Sequence, residues 1–500
     1  MKSVAFYNLG CKVNSYELDV MQQNLSEKGY EIVPFSQKAD IYIVNTCTVT
    51  NMADRKSRQI LHRAKKQNPD AIVVAVGCYV QTDPEGATKD ASVDLCVGNN
   101  RKRDLPEILE QFIKERVADH TREQKTLHGT TIIDINHTYE YEETKLKTTA
   151  EHTRAYIKIQ DGCNQFCSYC AIPLARGRAR SRACSDIMTE IEGVVEAGYR
   201  EIVLTGIHIS SYGIDFTEEE WQQGICKTHE NRPEYNGDSK LIDLIEKIHD
   251  IPGLERIRIG SLEPRIVTPD VAKRLAALPK VCPHFHLSLQ SGCDATLKRM
   301  NRHYTVAQYK AGVDALRQVY DKPAITTDVI VGFPGETEEE FAQTKAFLEE
   351  IAFYELHVFK YSKRANTRAA KMPDQVSDQV KTIRSDELLR LDRVTSKEYR
   401  KKYLDREALV LWEETKEIRG KLYVLGHTPD YVKVACLTGG ADRKNRKAGA
   451  EDRKYREAGP EGGIGESREE DLPLQGQITT VHIKDYLTEE ILLADETDLF

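Results

Sequence analysis

Three cysteines at a CxxxCxxC spacing follow a strand-like run in the middle of the chain. They are Cys163, Cys167 and Cys170, and the run before them covers residues 155–159. Three thiolates this close together can hold three irons of a cubane cluster and leave the fourth iron without a protein ligand. Zinc is the alternative, but it prefers four ligands, usually as two pairs, and no second pair stands nearby. The spacing therefore favours an iron–sulfur site with one open iron, on a loop at the end of a strand.

The central part of the chain alternates between strand-like runs and helical patterns. Six such runs occur, at residues 155–159, 201–205, 256–261, 284–289, 325–331 and 355–361. Strands that alternate with helices form parallel sheets, and six units fit an open, partial (β/α)6 barrel. Reactive residues of such barrels lie on loops at the carboxyl ends of the strands, where this cysteine loop stands.

The first hundred residues show the same alternation, and three more cysteines follow strands there. Cys11 follows the first predicted strand, Cys47 the third and Cys78 the fourth. In an open parallel sheet the carboxyl ends of the strands share one edge, so these thiols should converge. Three unrelated buried cysteines are the alternative, since cysteine is often buried. Their common position after strands favours a second three-thiolate cluster.

Composition limits the remaining possibilities. The chain has 500 residues, which predicts several domains, and 40% hydrophobic residues, an ordinary value for a soluble protein. No apolar run is long enough to span a membrane and no apolar leader follows Met1, so we expect no membrane partner and a cytoplasmic location. The net charge of −8 argues against a globally basic nucleic-acid binder but permits a local basic surface. The remaining six cysteines share no spacing pattern and are interpreted as small core or surface residues: Cys96, Cys184, Cys226, Cys282, Cys293 and Cys436.

Five segments are predicted along the chain. Short alternating strands near the C-terminus predict a small β-barrel, a common RNA-binding design. Within it, residues 439–471 carry almost no apolar side chains, and we expect them to be disordered. A polar insert at 214–238 interrupts the central part. The segments are an N-terminal α/β domain at 1–125, a linker at 126–149, the barrel at 150–375, a bridging helix at 376–402 and the small β-barrel at 403–500.

A basic run stands just beyond the cysteine loop. Residues 175–182 read ARGRARSR, with four arginines in eight positions. A charge run is most often a solvated face, but beside an active site it can also steer RNA phosphates. The sequence leaves both interpretations open.

Several of these strings resemble the radical-SAM methylthiotransferases, enzymes that attach a methylthio group to a tRNA base or a ribosomal protein. The resemblance rests on GCNQFCSYC at 162–170, LGCKVN at 9–14, NTCTV at 45–49, VGC at 76–78 and YSKRANTR at 361–368. It covers nearly the whole chain. It implies two 4Fe-4S clusters and S-adenosylmethionine (SAM) as cofactors. Cys163, Cys167 and Cys170 would hold the catalytic cluster that reduces SAM, and Cys11, Cys47 and Cys78 an auxiliary cluster that supplies sulfur.

The resemblance also implies which side chains bind SAM. Strand-end polar and glycine positions hold the cofactor in the family, and here they correspond to Tyr169, Gly206, Ser261, Glu263, Gln290 and Gly332. Taken singly, each could equally be an ordinary turn or cap residue.

The resemblance further implies a substrate and partners. The string GCKVN at 10–14 is similar to the branch that acts on threonylcarbamoyladenosine at position 37, beside the tRNA anticodon. The isopentenyladenosine branch and the ribosomal-protein branch are the alternatives. Two other classes stay open: a non-catalytic tRNA-binding cluster scaffold, and a radical-SAM enzyme whose second cluster only relays electrons. Expected partners are the tRNA anticodon stem-loop, gripped by the small barrel as a TRAM-like domain, and a one-electron reductant such as flavodoxin or ferredoxin.

Overall fold

The computed structural model describes residues 2–119, 129–147, 153–224, 239–438 and 474–495. The chain divides into two compact units, Met1–Tyr399 and Arg400–Phe500. The predicted disordered insertion at 439–471 lies outside the described residues, as do Cys226 and most of the 214–238 insert. The finer domain boundaries inside these units remain predictions.

The first unit begins with a six-stranded, all-parallel sheet in the order β2-β1-β3-β4-β5-β6. Its strands are β1 Ser3–Asn8, β2 Glu31–Val33, β3 Ile41–Thr46, β4 Ile72–Gly77, β5 Leu95–Val97 and β6 Gly129–Thr131. Its helices are α1 Lys12–Glu27, α2 Asn51–Gln67, α3 Cys78–Thr82, α4 Pro84–Lys89 and α5 Leu105–Asp119. The predicted parallel sheet is confirmed, and β6 belongs to it although it lies within the predicted linker.

Helices cover both faces of this sheet because both faces are apolar. Residues of α1 and α5, such as Met21 and Leu109, pack on one face. Residues of α2 and α4, such as Leu61 and Ala87, pack on the other. The strands β3 and β4 are buried along their whole length, as expected for central strands of a parallel sheet.

The central part of the unit is the expected partial barrel. Its strands are β7 Ala155–Asp161, β8 Arg180–Ser181, β9 Glu201–Gly206, β10 Arg256–Ile259, β11 His284–His286, β12 Ala324–Val331 and β13 Glu355–Lys360. All are parallel to their neighbours except β8, which pairs antiparallel with β7 at the edge. The strands form two sheets, β10-β9-β7-β8 and β11-β12-β13. Isolated parallel bridges between Ile257 and Val281 and between Leu262 and Leu287 join these two sheets.

The two faces of the barrel strands differ in polarity. Alternate residues such as Ile202, Ile257 and Phe285 point outward into the largest apolar core. The short helix α6 Ile172–Arg176 lies against α3. The core is closed by the other surrounding helices, which are α7 Cys184–Glu196, α8 Glu218–Gln223, α9 Leu241–His249, α10 Pro269–Ala276, α11 Asp294–Arg299, α12 Val306–Val319, α13 Glu338–Ile351 and α14 Asp378–Arg400. The intervening residues are polar, and helix α1 contacts β7 and β9 of the barrel. The barrel interior is therefore a polar surface that α1 adjoins.

The second unit contains a closed barrel of five strands in the order β14-β15-β16-β18-β17. The strands are β14 Arg406–Ile418, β15 Lys421–His427, β16 Lys433–Leu437, β17 Ile478–Tyr486 and β18 Leu492–Ala494. Trp412 is fully buried in this unit. The predicted small β-barrel is confirmed as a fold. Within the described part of the chain, no helix has the length and apolar character that crossing a bilayer requires.

Candidate active site

The three N-terminal cysteines meet at the carboxyl edge of the first sheet. Cys11 stands directly before α1, Cys47 follows β3, and Cys78 is the first residue of α3 after β4. A methyl group added at Gly10 would lie 3.1 Å from Cys47 Sγ, so the first and third strand ends are in contact. Burial, and then the neighbouring thiols of Cys78 and Cys11, raise the pKa of Cys47 to about 12. The structure thus brings the predicted triad together.

The Cys11 thiol differs in exposure from the other two thiols of its triad. The residue is solvent-exposed, yet the dense protein around it raises the pKa of its thiol. Cys11 is therefore the member of the triad that solvent reaches, whereas Cys47 and Cys78 are buried.

Each sulfur of the central triad accepts one hydrogen bond. The backbone N–H of Gln165 donates to Cys163 Sγ at 3.4 Å, and that of Ile172 donates to Cys170 Sγ at 3.5 Å. The Arg302 guanidinium donates to Cys167 Sγ at 3.2 Å. Such donors stabilise thiolates and tune a bound cluster.

Burial opposes ionisation of these thiols when no metal is present. It raises the pKa of Cys170 to about 12, with Cys167 adding to the effect, and it raises the pKa of Cys163 as well. Metal binding must therefore displace protons here. Three converging sulfurs with hydrogen-bond donors fit a 4Fe-4S cluster with one open iron.

Local backbone geometry requires glycine before the central triad. Gly162 has φ of +69°, and a Cβ there would lie 1.9 Å from the carbonyl oxygen of Arg178. The next residue, Cys163, donates its N–H to the Gly177 carbonyl at 3.0 Å. The cysteine loop is thus packed directly against the chain that returns from α6.

One segment, residues 361–369, holds the loops of both triads. Arg364 donates to Thr48 Oγ1 and to Asn51 Oδ1, both at 2.6 Å, beside Cys47. Four residues later, the Arg368 guanidinium donates to the Phe166 carbonyl at 2.8 Å, within the central cysteine loop. The segment after β13 therefore fixes the position of one triad relative to the other.

A buried ion network, centred on Glu17 of helix α1, joins this helix to the barrel. The Glu17 carboxylate contacts Lys102 at 2.5 Å, Lys158 at 2.7 Å and Arg176 at 2.7 Å. Burial alone would raise the pKa of Glu17, but these cations, Arg176 first, hold it well below its usual range. Arg176 also donates to Asn14 Oδ1 at 2.7 Å, close to Cys11.

The structure shows that both interpretations of the basic run at 175–182, a solvated face and a surface that steers RNA phosphates, are wrong. Arg176, Arg180 and Arg182 are each at most 1% exposed, so they form neither a solvated face nor a surface for phosphates. Arg182 pairs with the buried carboxylate of Glu190. Of these four arginines only Arg178 is partly exposed, and its guanidinium lies 4.4 Å from the centre of the exposed Phe166 ring. The carboxylates that neutralise the run come from distant segments, which the local sequence does not reveal.

Three of the predicted SAM-binding residues are linked to the cysteine loop. The Tyr169 hydroxyl donates to Gln290 Oε1 at 3.1 Å. Glu263 pairs with Arg265 at 2.9 Å, and Arg265 reaches Gln165 Oε1 at 3.5 Å. The second Glu263 oxygen, Oε2, is buried and accepts no hydrogen bond from the described residues. A buried carboxylate oxygen of this kind suits the ammonium group of an amino acid such as the methionine of SAM.

The other three predicted SAM-binding residues lie at strand ends without a described contact to a cysteine. Gly206 ends β9, and a Cβ there would meet the Gln160 carbonyl at 2.9 Å. Ser261 follows β10 and is exposed. Gly332 follows β12 with φ of +70°, packed where a Cβ would lie 2.3 Å from Lys381 Cγ. Their role in binding SAM stays a prediction.

Several residues that support the site were not identified from the sequence. Arg302, Arg364 and Arg368 contact the cysteine loops, and Asn99 donates to Cys78 Sγ at 3.5 Å. Each comes from a segment remote in sequence, so no spacing rule indicates it. Among these residues, only Arg364 and Arg368 had a sequence signal, because they lie in the string at 361–368 that resembles the family. Of the six cysteines read as structural, five are buried: Cys96, Cys184, Cys282, Cys293 and Cys436.

Comparison with known proteins agrees with this arrangement. Residues 3–98 match the family described as "Uncharacterized protein family UPF0004", and residues 157–348 match the Radical SAM superfamily. The solved structure of the radical SAM methyltransferase TsrM from Kitasatospora setae covers 74% of this chain and is itself covered to 74%, with a TM-score of 0.50 and 15% identity. That likeness concerns the fold alone. The fold and the central triad define a radical-SAM protein, whose class uses a 4Fe-4S cluster and SAM.

Curated relatives narrow the class to a family. A threonylcarbamoyladenosine tRNA methylthiotransferase of Bacillus subtilis is 40% identical over 87% of this chain and 90% of its own length. One from Aquifex aeolicus is 37% identical over 84% of this chain and 95% of its own length. A tRNA-2-methylthio-N(6)-dimethylallyladenosine synthase of Methylacidiphilum infernorum is 33% identical over 83% and 84%. The chain belongs to the radical-SAM methylthiotransferase family, whose members carry a second cluster.

Proposed function

We propose that this protein adds a 2-methylthio group to N6-threonylcarbamoyladenosine at position 37 of tRNA, next to the anticodon. The observation that carries the proposal is the pair of cysteine triads in one compact unit, held by the shared segment 361–369. A non-catalytic tRNA-binding scaffold does not need both triads. The threonylcarbamoyladenosine substrate is supported by the names of relatives at 37–40% identity.

Each triad has a distinct role in this proposal. Cys163, Cys167 and Cys170 would hold the catalytic cluster, and Cys11, Cys47 and Cys78 would hold the auxiliary cluster. Bound together, the two clusters and SAM supply an electron, an adenosyl group that removes hydrogen from the base, and the methylthio sulfur.

The chain's own residues orient these groups. Glu263 would bind the SAM ammonium group through its buried oxygen, and Tyr169 and Gln290 would line the same end of the site. Arg302 places a positive charge beside Cys167, which stabilises the negative charge of a bound cluster. Arg364 keeps the Cys47 loop at a fixed distance from the barrel rim. The reaction needs this rigidity, because displacement by about 1 Å of a reacting group can cost about 100-fold in rate.

The partners follow from the same proposal. The tRNA anticodon stem-loop would be the substrate, and the five-stranded barrel of the second unit would bind it as a TRAM-like domain. Flavodoxin or ferredoxin would deliver the electron, and the reaction would take place in the cytoplasm.

The decisive experiment is mass spectrometry of tRNA nucleosides from a deletion strain, with and without the restored gene. We expect 2-methylthio-threonylcarbamoyladenosine to disappear on deletion and return with the wild-type gene, but not with Cys47→Ala. Retention of this nucleoside in the deletion strain would refute the proposal.

The same experiment separates the alternatives. Loss of the methylthio isopentenyladenosine nucleoside instead would assign the other tRNA branch, and unchanged tRNA with an unmodified ribosomal protein would assign the third branch. Anaerobically reconstituted protein should carry about eight irons per chain. A scaffold without two cubanes would carry about four or fewer.

A further inference from the structure

A polar cluster with no role in the mechanism above lies on the interior face of the barrel. His286 on β11, Asp328 on β12 and His357 on β13 have side-chain ligand atoms that all lie within 4.8 Å of one another. His286 Nε2 is 3.3 Å from Asp328 Oδ2, and the two imidazole rings stack with centroids 5.5 Å apart. His357 is exposed to solvent. The cluster therefore forms an accessible patch of hydrogen-bonding groups.

This cluster lies within electrostatic range of a charged residue beside each cysteine triad. Asp328 is close enough to Arg302 to feel its charge, and Arg302 contacts Cys167 of the central triad. His357 and His284 in turn feel the charge of Lys12, which directly follows Cys11 of the N-terminal triad. A base held between the triads would meet this patch.

The surroundings of the patch are positively charged. Burial lowers the pKa of His284 well below its usual range, and Arg258 and Lys12 lower it further. Arg258 already shares the Glu201 carboxylate with Arg154. Lys12 is exposed and, among the described residues, has no hydrogen bond or salt-bridge partner. A positively charged surface with an unpaired ammonium group suits an anion.

We propose that Lys12, together with His284, His286 and His357, forms a subsite for the carboxylate of the substituent on N6 of the tRNA adenosine. This inference rests on the proposed function, because threonylcarbamoyladenosine bears a free carboxylate and isopentenyladenosine does not. C2 and C6, which carries N6, belong to the same six-membered ring, so a base that presents C2 to the triad of Cys11 keeps its N6 substituent within reach of the residues around that triad, Lys12 among them. The carboxylate accepts charge-assisted hydrogen bonds from Lys12 and the histidines. Asp328 can accept a hydrogen bond from the ureido N–H or the threonine hydroxyl.

A metal ion is a less suitable occupant of the same cluster. Asp328 is already paired with His286, and the nearby Lys12 and Arg258 repel a cation. The charge of the surroundings therefore favours an organic anion.

The test compares three anticodon stem-loop RNAs that differ only at position 37. They carry threonylcarbamoyladenosine, its methyl ester, or unmodified adenosine, and their affinity for the anaerobically reconstituted full chain is measured by fluorescence anisotropy. We expect the wild-type chain to bind the acid about tenfold more tightly than the ester or the unmodified RNA. Lys12→Met should remove this preference without changing affinity for the unmodified RNA, and Lys12→Arg should retain most of it.

Two further variants keep the test independent of cluster assembly. His357→Leu changes a residue on β13 that is far in sequence from every cysteine ligand, and it should reduce the preference about threefold. Lys38→Met, an exposed lysine of the same domain, should leave all three affinities unchanged. Iron content is measured for each variant. If Lys12→Met loses iron, the preference of His357→Leu for the acid decides whether the subsite exists.

The outcomes separate the subsite from the function. If wild-type protein methylthiolates threonylcarbamoyladenosine but Lys12→Met and His357→Leu keep the full preference for the acid, the subsite is wrong and the function stands. If the ester binds as tightly as the acid, carboxylate recognition is wrong. If wild-type protein neither prefers nor modifies the threonylcarbamoyl RNA, the proposed function itself fails.

Discussion

Replacing Glu201 by glutamine tests the electrostatics of the barrel interior. Its carboxylate is fully buried and lies 2.9 Å from Arg154, 3.0 Å from Arg258 and 3.5 Å from Arg256. Burial alone would raise the pKa of Glu201, but the arginines outweigh it and lower the pKa from 4.5 to about 2. Because the folded-state pKa is depressed, the charge stabilises the fold above pH 4.5, and this contribution is lost as the pH falls towards 2.

The size of the effect follows from the shift in pKa. The fall in pKa from 4.5 to about 2 corresponds to about 3 kcal/mol of stability at pH 7. The same two pKa values leave about 1 kcal/mol at pH 3. Glu201→Gln should therefore lower the melting temperature at pH 7 by an amount on the order of 5 °C, and by less than half of that at pH 3.

The assay is thermal unfolding of metal-free wild-type and variant chains between pH 3 and pH 8. Using metal-free protein makes any loss of clusters in acid irrelevant to the difference. The matched control is Glu255→Gln, since Glu255 forms a 3.0 Å ion pair with Arg200 that is about half exposed. Surface pairs contribute about 0–1 kcal/mol, so the control should change little. A Glu201→Gln difference that is absent, or that is equal at pH 3 and pH 7, would refute the reasoning.

Three further predictions concern the cysteine triads. Cys47→Ala should lower the iron content from about eight to about four per chain, and should abolish methylthiolation while SAM cleavage continues; equal iron content in both proteins would contradict this. Arg364→Met should lower the iron content and the melting temperature, because the Cys47 loop loses its contacts to the barrel, whereas the exposed Arg55→Met should do neither. Gly162→Ala should prevent assembly of the central cluster, because the added Cβ has no space. Gly29→Ala, also at positive φ but with nothing within 4 Å, should cost only about 1 kcal/mol and leave the iron content unchanged.

The sequence predicted the elements of the fold better than their ends. The four predicted N-terminal strands and the six barrel strands are all present, because strand-like runs that alternate with helical patterns indicate parallel sheets. The short strands β5, β6 and β8 and the short helices α3 and α4 were not predicted, since two to six residues carry too little periodicity. Helix α1 begins at Lys12, directly after Cys11.

The sequence by itself determined the two cysteine triads, since thiol chemistry and position after strands are local properties. Its resemblance to a family also indicated the cofactors. Only the tertiary structure decided what surrounds the sulfurs. It showed that three arginines of the basic run are buried in ion networks, that Arg364 and Arg368 position the two cysteine loops, and that the charge of Lys12 acts on histidines of the barrel. These relations join residues far apart in the chain, and the energy of a buried charge depends on which partners the fold brings within a few ångströms of it.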